Sequence, residues 1–315
     1  MSGARRSAGF AAALALAVFA GSASFALTQA TSSGLPQARI AFTSGGCDSG
    51  DSEIVVMNAD GSGRRILTQR KARDGDPAWS PDGARIAFVN GNREIAVMNA
   101  DGSGQHPLTR TKTPGAWDEN PAWSPDGRRI AFDRAAGQGG NWVIYVMNAD
   151  GSAQHRLTQG KGAEDDYPAW SPDGRKIAYE RYGLGDYGGN YELYVMNADG
   201  SNQHRLTSNS GWDDQWPAWS PDGRRIAFAS NRRGDYAIYV MNADGSSPRG
   251  LTRQRGFAGY PAWSPDGHRI AFDLDPPQPS EVYAMNSDGS RLRRLTQDKT
   301  ASCLAAWSPA TSANG

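Results

Sequence analysis

A unit of about 45 residues repeats along most of this chain, and the repeat constrains the fold more than any other feature. The tripeptide PAW occurs five times and is followed by an altered copy, AAW, whose tryptophan is Trp307. These six tryptophans are 44 to 49 residues apart, and a second marker, MN(A/S)DG, also occurs six times. A period of this length indicates a repeat architecture and is typical of β-propeller blades.

Each unit contains four short segments with the composition of β-strands. PAWS is the first, RIAF or KIAY the second, YVMN or a variant the third, and RLT or a variant the fourth. The turn sequence SPDG follows the first segment, and NADGS, with its Asp-Gly pair, follows the third; both are typical of tight turns between strands. Helical periodicity is absent between the segments. The repeat therefore predicts four-stranded antiparallel sheets arranged around a channel.

The number of segments predicts how the ring closes. Six second segments occur, the first at Arg39, but the chain has no first segment before Arg39 and has a surplus one around Trp307. We therefore expect the last strand to pair with the strand at Ile40, which leaves no open sheet edge. The prediction is an all-β, six-bladed propeller over residues 38–309, with its first blade closed by the C-terminal strand.

The units resemble the repeats of TolB-like six-bladed propellers, a WD40-like repeat family. The shared pattern is P-x-WSPDG-x-x-IAF followed by IYVMN-x-DGS-x-x-RLT, and residues 217–252 match it most fully. TolB itself has an N-terminal α/β domain, and the short segment before the first strand implies that this chain lacks it. The resemblance implies partners such as envelope lipoproteins. Because a fold does not by itself determine function, the candidate site must be argued from residues.

The N-terminus has the pattern of a secretory signal. Arg5 and Arg6 precede an apolar run of about 12 residues, which is shorter than the ~20 needed to span a membrane. We expect a signal peptide at residues 1–26, a linker at 27–37 and a flexible tail at 310–315. The mature protein is then periplasmic or secreted, with no membrane span, and we expect it to be a monomer.

The chain has two cysteines, Cys47 in a loop of the first blade and Cys303 just before the last strand. Pairing of Trp307 with Ile40 places Cys303 near Ser44. Because disulfides persist in exported proteins, a Cys47–Cys303 bond that fastens the ring is one expectation, and two free thiols are the alternative.

Composition and motifs argue against several classes of function. The formal net charge of zero gives no electrostatic reason to bind nucleic acid or an anionic membrane. No GxSxG nucleophile motif occurs, and no second domain is available for a hydrolase. His106, His155 and His204 occupy one repeat position on successive outer strands. Equivalent outer positions diverge around a propeller, so these three histidines cannot share a metal ion. We expect no enzymatic activity and no cofactor, with a calcium ion in the channel left as an alternative.

The loops that vary between repeats are the predicted working face. They are the loops from second to third strands and the connections between blades, whereas the SPDG and NADGS turns, with Asp82 and Asp60, are expected to be scaffold. The variable loops concentrate aromatic and acidic residues. The candidate binding residues are Trp117, Asp118, Asp165, Asp166, Tyr187, Trp212, Asp213, Asp214, Trp216 and Tyr260.

These residues favour an exported, non-catalytic scaffold of the cell envelope that binds a protein or peptide through the variable loops and the channel mouth. The alternative is a propeller that binds or processes carbohydrate with the same aromatic and acidic residues. Paired carboxylates such as Asp165 and Asp166 are compatible with a glycosidase, although nothing in the sequence distinguishes an acid from a base.

Overall fold

The computed structural model describes residues 38–46, 50–68, 72–111, 114–135, 137, 140–160, 162–183, 189–208, 211–253, 256–275 and 279–309. Within these ranges the strands form six four-stranded antiparallel sheets arranged as the blades of a propeller. The predicted fold class is therefore confirmed. In every blade the four predicted segments correspond to the four strands. They are called the inner, second, third and outer strands, from the channel outwards, and β labels follow chain order.

The channel is walled by the inner and second strands. The inner strands are β4 (Gly75–Trp79), β8 (Trp117–Trp123), β12 (Ala163–Trp170), β16 (Asp214–Trp219), β20 (Phe257–Trp263) and β24 (Ser302–Trp307). The second strands are β1 (Arg39–Ser44), β5 (Arg85–Val89), β9 (Arg129–Ala135), β13 (Lys176–Gly183), β17 (Arg225–Arg233) and β21 (Arg269–Asp275).

The third strands and the short outer strands complete each blade. The third strands are β2 (Glu53–Asn58), β6 (Ile95–Asn99), β10 (Trp142–Asn148), β14 (Tyr191–Asn197), β18 (Asp235–Asn242) and β22 (Glu281–Asn286). The outer strands are β3 (Arg65–Ile66), β7 (His106–Pro107), β11 (His155–Arg156), β15 (His204–Arg205), β19 (Arg249–Gly250) and β23 (Arg293–Arg294).

The first blade is closed by the end of the chain, as the strand count predicted. Its sheet has the order β24-β1-β2-β3, and Trp307 pairs with Ile40. Cys303 pairs with Thr43, one residue from the predicted neighbour Ser44. Cys303 is disulfide-bonded, and Cys47, the chain's only other cysteine, lies outside the described residues.

Neighbouring blades are joined by the repeated tryptophans and by the arginines that begin the second strands. Arg39, for example, lies over the Trp79 ring of the next blade at 4.9 Å, and Arg269 lies over Trp307 at 4.8 Å. The tryptophans are buried against apolar residues of both blades, so each blade boundary combines apolar burial with a cation–π contact. This explains why tryptophan and arginine recur at fixed positions of the repeat.

The invariant turns are stabilised by their own side chains. Asp82 Oδ1 accepts hydrogen bonds from the Ser80 hydroxyl and the Ala84 N–H, and Asp60 Oδ1 accepts from the hydroxyl and N–H of Ser62. The Ser62 and Ser80 hydrogen bonds lower the pKa of Asp60 and Asp82 below its ordinary value. These aspartates are occupied by turn contacts, in agreement with their interpretation as scaffold.

Several sequence predictions fall on residues that the structure does not describe. The signal peptide at 1–26, the linker at 27–37 and the tail at 310–315 lie outside the described residues, as does Tyr187. Within the described ranges, no helix has the length and apolar composition required to cross a membrane.

Candidate functional site at the mouth of the channel

The inner strand of every blade contains a β-bulge at the residue before the PAW or AAW triplet. That residue has a φ of 51° to 58° in all six blades. Positive φ is unusual for residues other than glycine, and a residue before proline ordinarily adopts extended backbone. The six residues, called here the channel ring, are Asp76, Asn120, Tyr167, Trp216, Tyr260 and Leu304.

The bulge allows two consecutive residues to face the channel, which a regular strand cannot do. Asp166 and Tyr167 line one cavity together, as do Gln215 and Trp216. All six ring residues are half-buried and line the channel. The backbone conformation is shared by all blades, whereas the side chain that it presents differs. The fold therefore supplies six inward positions whose chemistry is set independently.

Aromatic side chains cluster on one side of the ring. Trp216 stacks on Tyr260 with ring centroids 4.2 Å apart, and Tyr167 lies 5.9 Å from Tyr260 and 6.2 Å from Trp216. Phe257 and Tyr236 pack on Trp216 at 5.5 and 5.6 Å. These five residues, the aromatic cluster, form one continuous surface from blade four to blade six.

Buried carboxyl groups hold the bulge at three blade boundaries. Each accepts a hydrogen bond from the N–H of a ring residue in the next blade: Asp133 from Tyr167 at 3.3 Å, Glu180 from Trp216 at 2.7 Å, and Asp273 from Leu304 at 2.9 Å. All three carboxyls occupy the same position of the second strand, and each residue is about 1% exposed. They position the backbone from which the ring side chains project.

Two cavities adjoin the ring on the side of the variable loops. The larger, the mouth cavity, has a volume of about 430 Å³. Its lining combines the aromatic residues Tyr167, Trp216, Phe257 and Tyr260 with the carboxyls of Asp76, Glu119, Asp273 and Asp275 and the guanidinium of Arg73. The smaller, the acid pocket, has a volume of about 240 Å³ and is lined by Glu119, Asp133, Asp166 and Glu180 and by aromatic rings that include Trp142 and Tyr191. Negative charge and aromatic surface therefore meet at the mouth.

The carboxyl groups of Asp166 and Glu180 face each other across paired strands and are hydrogen-bonded. Burial raises the pKa of Asp166 to about 8, with the neighbouring acids Asp165, Glu164 and Glu119 adding to the rise. Burial, and then the charge of Asp166, also raises the pKa of Glu180 well above its ordinary value. Two adjacent buried acids cannot both ionise cheaply, so the pair retains a proton near neutral pH.

This retained proton predicts that the free protein loses stability as the pH rises. Asp166 in the unfolded chain ionises near pH 4, whereas in the folded protein it keeps its proton up to about pH 8. Between these values the folded state binds more protons, so its free energy of unfolding falls with increasing pH. We expect Asp166→Asn to remove part of this slope and to raise the unfolding free energy at pH 9 by about 2 kcal/mol, since one pKa unit corresponds to about 1.4 kcal/mol.

Urea unfolding of both proteins at pH 5 and pH 9 measures this effect. Asp199→Asn is the matched control, because Asp199 is exposed in a turn and its pKa is lowered by Ser201, so it contributes only at acid pH. Equal pH slopes for the wild type and Asp166→Asn would contradict the assignment of a shared proton.

The structure brings together some of the predicted binding residues. Trp216 and Tyr260 are in direct contact in the aromatic cluster, and Asp166 lies in the acid pocket. Trp117 is 40% exposed at the start of β8, and Trp212 is 44% exposed in the connection just before β16, both on the variable-loop side. Asp213 shapes its loop, because its carboxylate accepts hydrogen bonds from the Tyr191 N–H and the Tyr236 hydroxyl.

Asp118, Asp165 and Asp214, which were predicted to bind a ligand, do not line the cavities at the channel mouth. All three are fully buried inside their blades and form ion pairs with arginines of the adjacent second strand. The pairs are Asp118–Arg134 at 2.5 Å, Asp165–Arg181 at 2.5 Å and Asp214–Arg232 at 2.8 Å. The bulge separates these aspartates from the residues that face the channel, so their role is structural.

Several site residues were missed by the sequence reasoning. Asp133, Glu180 and Asp273 lie within second strands that otherwise read as core, and Tyr167 is not among the predicted binding residues. A signal was available: the residue directly before each PAW varies from Asp to Trp although the triplet itself is invariant. Variation at a fixed position within a repeat indicates a position free to specialise.

Among the described residues, no group of three or more His, Cys, Asp or Glu side chains is arranged to hold a metal ion. His106, His155 and His204 are exposed on outer strands, and the Nδ1 atom of each contacts a backbone carbonyl two residues earlier.

Comparisons with known proteins agree with this architecture. A family model described as the TolB beta propeller domain matches residues 110–215 and 168–256. A search of curated proteins gives no match. Among solved structures, TolB from Acinetobacter baumannii is similar at 22% identity and a TM-score of 0.73, over 88% of this chain and 69% of that chain.

Two further solved structures place the similarity in context. Putative TolB from Agrobacterium tumefaciens has 24% identity and a TM-score of 0.65, over 82% of this chain and 88% of that chain. An oligogalacturonate lyase in complex with manganese has 14% identity and a TM-score of 0.60, over 82% of this chain and 74% of that chain. At such identities the solved structures establish the fold alone. Together with the closed ring of six blades, they show that this chain has the six-bladed β-propeller fold of the TolB structures, and the family-model match places the sequence similarity in residues 110–256.

Proposed function

We propose that this protein is an exported, non-catalytic binding scaffold of the cell envelope, which holds a protein or peptide partner at the mouth of its channel. The observation that carries the proposal is the aromatic cluster beside the acid-lined mouth cavity. Large aromatic side chains supply most of the binding energy at protein interfaces, and a cavity of about 430 Å³ has room for one or two side chains of a partner.

The surface around the cavity supports the same proposal. Trp117 and Trp212 are two of the large apolar side chains that are exposed in the described chain; Trp117 begins β8 and Trp212 lies just before β16. Arg93 lies 3.8 Å from the centre of the Trp117 ring and holds it in place. A rim with exposed tryptophans, one of them held by Arg93, around a deeper aromatic cavity fits a peptide that lies across the mouth and inserts a side chain.

Export rests on the predicted signal peptide at residues 1–26, which places the mature protein in the periplasm or outside the cell. The similarity to two TolB structures is compatible with an envelope role. We treat the mature protein as a monomer, because the predicted partner surface is complete within one chain.

The carbohydrate alternative has less support. Sugars stack on free aromatic faces, but Trp216 is covered by Tyr260 and flanked by Phe257 and Tyr236. The acidic pair Asp166 and Glu180 is in direct hydrogen-bond contact, whereas the carboxyls of glycosidases stand about 5–9.5 Å apart to admit the substrate. These features argue against glycoside hydrolysis at this mouth.

Affinity capture from an envelope extract tests the proposal. The double variant Trp117→Ala/Trp212→Ala is expected to recover at least tenfold less of the partner than the wild type. The reason is that a tryptophan that dominates an interface commonly contributes about 2 kcal/mol or more to binding. Quantitative mass spectrometry of the captured proteins provides the measurement.

A matched control is available on the same chain. Ile66 and Leu292 are 49% and 37% exposed on or beside outer strands, so Ile66→Ala/Leu292→Ala removes exposed apolar surface far from the channel mouth. We expect this control to recover the partner as the wild type does. Equal recovery by the tryptophan double variant would overturn the proposed site.

A further inference from the structure

The acid pocket contains more carboxyl groups than basic groups. Four carboxyl groups line it, from Glu119, Asp133, Asp166 and Glu180, and its described lining includes no lysine or arginine. Arg93 reaches Glu119 at 3.2 Å from outside the pocket and offsets one of these charges. The remaining three carboxyls have no basic partner among the pocket's described residues, so the pocket is suited to a ligand that brings positive charge.

Asp133 presents an unused acceptor to this pocket. The residue is 1% exposed, and its Oδ1 accepts the Tyr167 N–H. The Asn120 side chain also forms a hydrogen bond to this carboxyl, and the Oδ2 atom is buried with no further partner in the described protein. Buried carboxylate oxygens are nearly always satisfied, because leaving one unpaired is costly. An oxygen that the protein leaves unpaired beside a cavity is available to a donor from a ligand.

Aromatic rings complete the lining. Trp142, Tyr167, Tyr191 and Trp216 face the pocket along with the carboxyls. The face of an aromatic ring attracts a cation that lies within about 6 Å of its centre, and the attraction strengthens when water is excluded. The pocket therefore offers two kinds of contact to an organic cation: the carboxyl groups contact its charge, and the aromatic rings contact its aliphatic stem.

We propose that the acid pocket binds a primary alkylammonium group, the end of a lysine side chain presented by the peptide partner; this inference rests on the proposed function. The acceptors favour ammonium over guanidinium. Both Glu180 oxygens are used, by the Trp216 N–H and the Gln215 amide, and Asp133 has one oxygen to offer. Single oxygens on separate carboxyls suit the three divergent N–H donors of an ammonium group, whereas guanidinium prefers both oxygens of one carboxylate.

Binding should be coupled to proton release. Burial raises the pKa of Asp166 to about 8, and a bound ammonium group favours the ionised form, so affinity weakens as the pH falls below this value. The pKa of Asp166 and of its neighbours in the acid pocket also depends on the other titratable groups that surround Asp166. These are Glu180 on β13, Glu119 on β8, Asp133 on β9, Tyr191 on β14, and Glu164 and Asp165 on its own strand.

Isothermal titration calorimetry with short blocked peptides tests the inference. The probes are acetyl-Gly-Lys-Gly-amide, its norleucine analogue, its arginine analogue, cadaverine and calcium chloride. We expect the lysine peptide to bind at least tenfold more tightly than the norleucine and arginine peptides. Titration in buffers of different ionisation enthalpy should show proton release near pH 7, and affinity should fall between pH 8 and pH 6.

Two variants locate the site. Asp133→Asn keeps an oxygen for the Tyr167 N–H but removes the charge, and it is expected to weaken lysine-peptide binding at least tenfold. Glu192→Gln is the matched control, because Glu192 is a buried acid on β14 that pairs with Arg205 outside the pocket. We expect it to bind within twofold of the wild type, with circular dichroism confirming that both variants fold.

The outcomes separate this inference from the proposed function. Equal binding of the lysine and norleucine peptides, or Asp133-dependent binding of calcium without the lysine peptide, would overturn the ammonium site. If cadaverine binds more than tenfold more tightly than the lysine peptide, the natural ligand is a free diamine, and the proposal of a peptide lysine is overturned. In each case a partner captured through Trp117 and Trp212 would leave the proposed function standing.

Discussion

A chain that ends at Lys299, and so lacks β24, is expected to lose its native tertiary structure. β24 is the inner strand of the first blade, and it supplies Trp307 and Ala305 to an apolar cluster shared by the first and last blades. Truncating one buried tryptophan typically costs about 3–5 kcal/mol, and whole domains have only about 5–15 kcal/mol of stability. Removing the strand also exposes the edge of β1 and separates the ends of the ring.

Near-ultraviolet circular dichroism and urea unfolding measure the loss. We expect no cooperative transition for the chain that ends at Lys299, and a wild-type transition for a chain that ends at Pro309. The second chain retains β24 and removes only the residues after it, so it controls for shortening as such. A native near-ultraviolet spectrum and an unchanged urea midpoint for the shorter chain would show that the ring does not depend on closure by its own C-terminus.

The closure shows how far sequence reasoning reaches in a repeat protein. Each unit repeats the same turn and strand signals, so the strand count and the pairing of Trp307 with Ile40 follow from arithmetic and from the need to cover sheet edges. Such local signals are present in each unit, and their recurrence in six copies makes the assignment of strands and turns secure. The fold and the pairing of Trp307 with Ile40 were therefore predictable, whereas the β-bulge that shifts Cys303 from Ser44 to Thr43 was not.

The channel mouth was predictable only in part, and the β-bulge is the reason. In a regular strand Asp214 and Trp216 share a face, since side chains alternate with a period of two. The bulge at Trp216 breaks that alternation: Asp214 turns into the blade toward Arg232, while Gln215 and Trp216 both reach the cavity. A positive φ at aromatic residues before proline runs against local preference, so propensity alone cannot reveal it.

The buried acids also depend on contacts that no single repeat contains. Glu180 and Trp216 belong to different blades, and the hydrogen bond between them forms only when the blades pack side by side. The same holds for Asp273 and Leu304 across the closure between the last and first blades. Residues that read as polar interruptions of a core strand are in fact the groups that hold the channel ring in position.

Loss of Arg181 tests the structural role of the blade-internal ion pairs. Arg181→Met keeps an apolar stem over Tyr194, which the guanidinium carbon approaches to 4.6 Å, but it leaves the fully buried Asp165 without its charge partner. Removing one member of a buried ion pair typically costs about 3–5 kcal/mol, because the remaining charge is uncompensated. We expect a destabilisation of about 3 kcal/mol, toward the lower end because Arg181 is one-fifth exposed.

The double variant Arg181→Met/Asp165→Leu separates the cost of an orphaned charge from the contribution of the pair. Replacing both partners by apolar residues is often neutral, so we expect it to recover most of the stability lost in Arg181→Met. Urea unfolding of the wild type, Arg181→Met, Asp165→Leu and the double variant gives the coupling free energy. Because Asp165 faces the blade interior, the double variant should also bind the partner as the wild type does. A single variant within 1 kcal/mol of the wild type, against the ~3 kcal/mol expected here, or a folded double variant that fails to bind, would return Asp165 to the list of candidate binding residues.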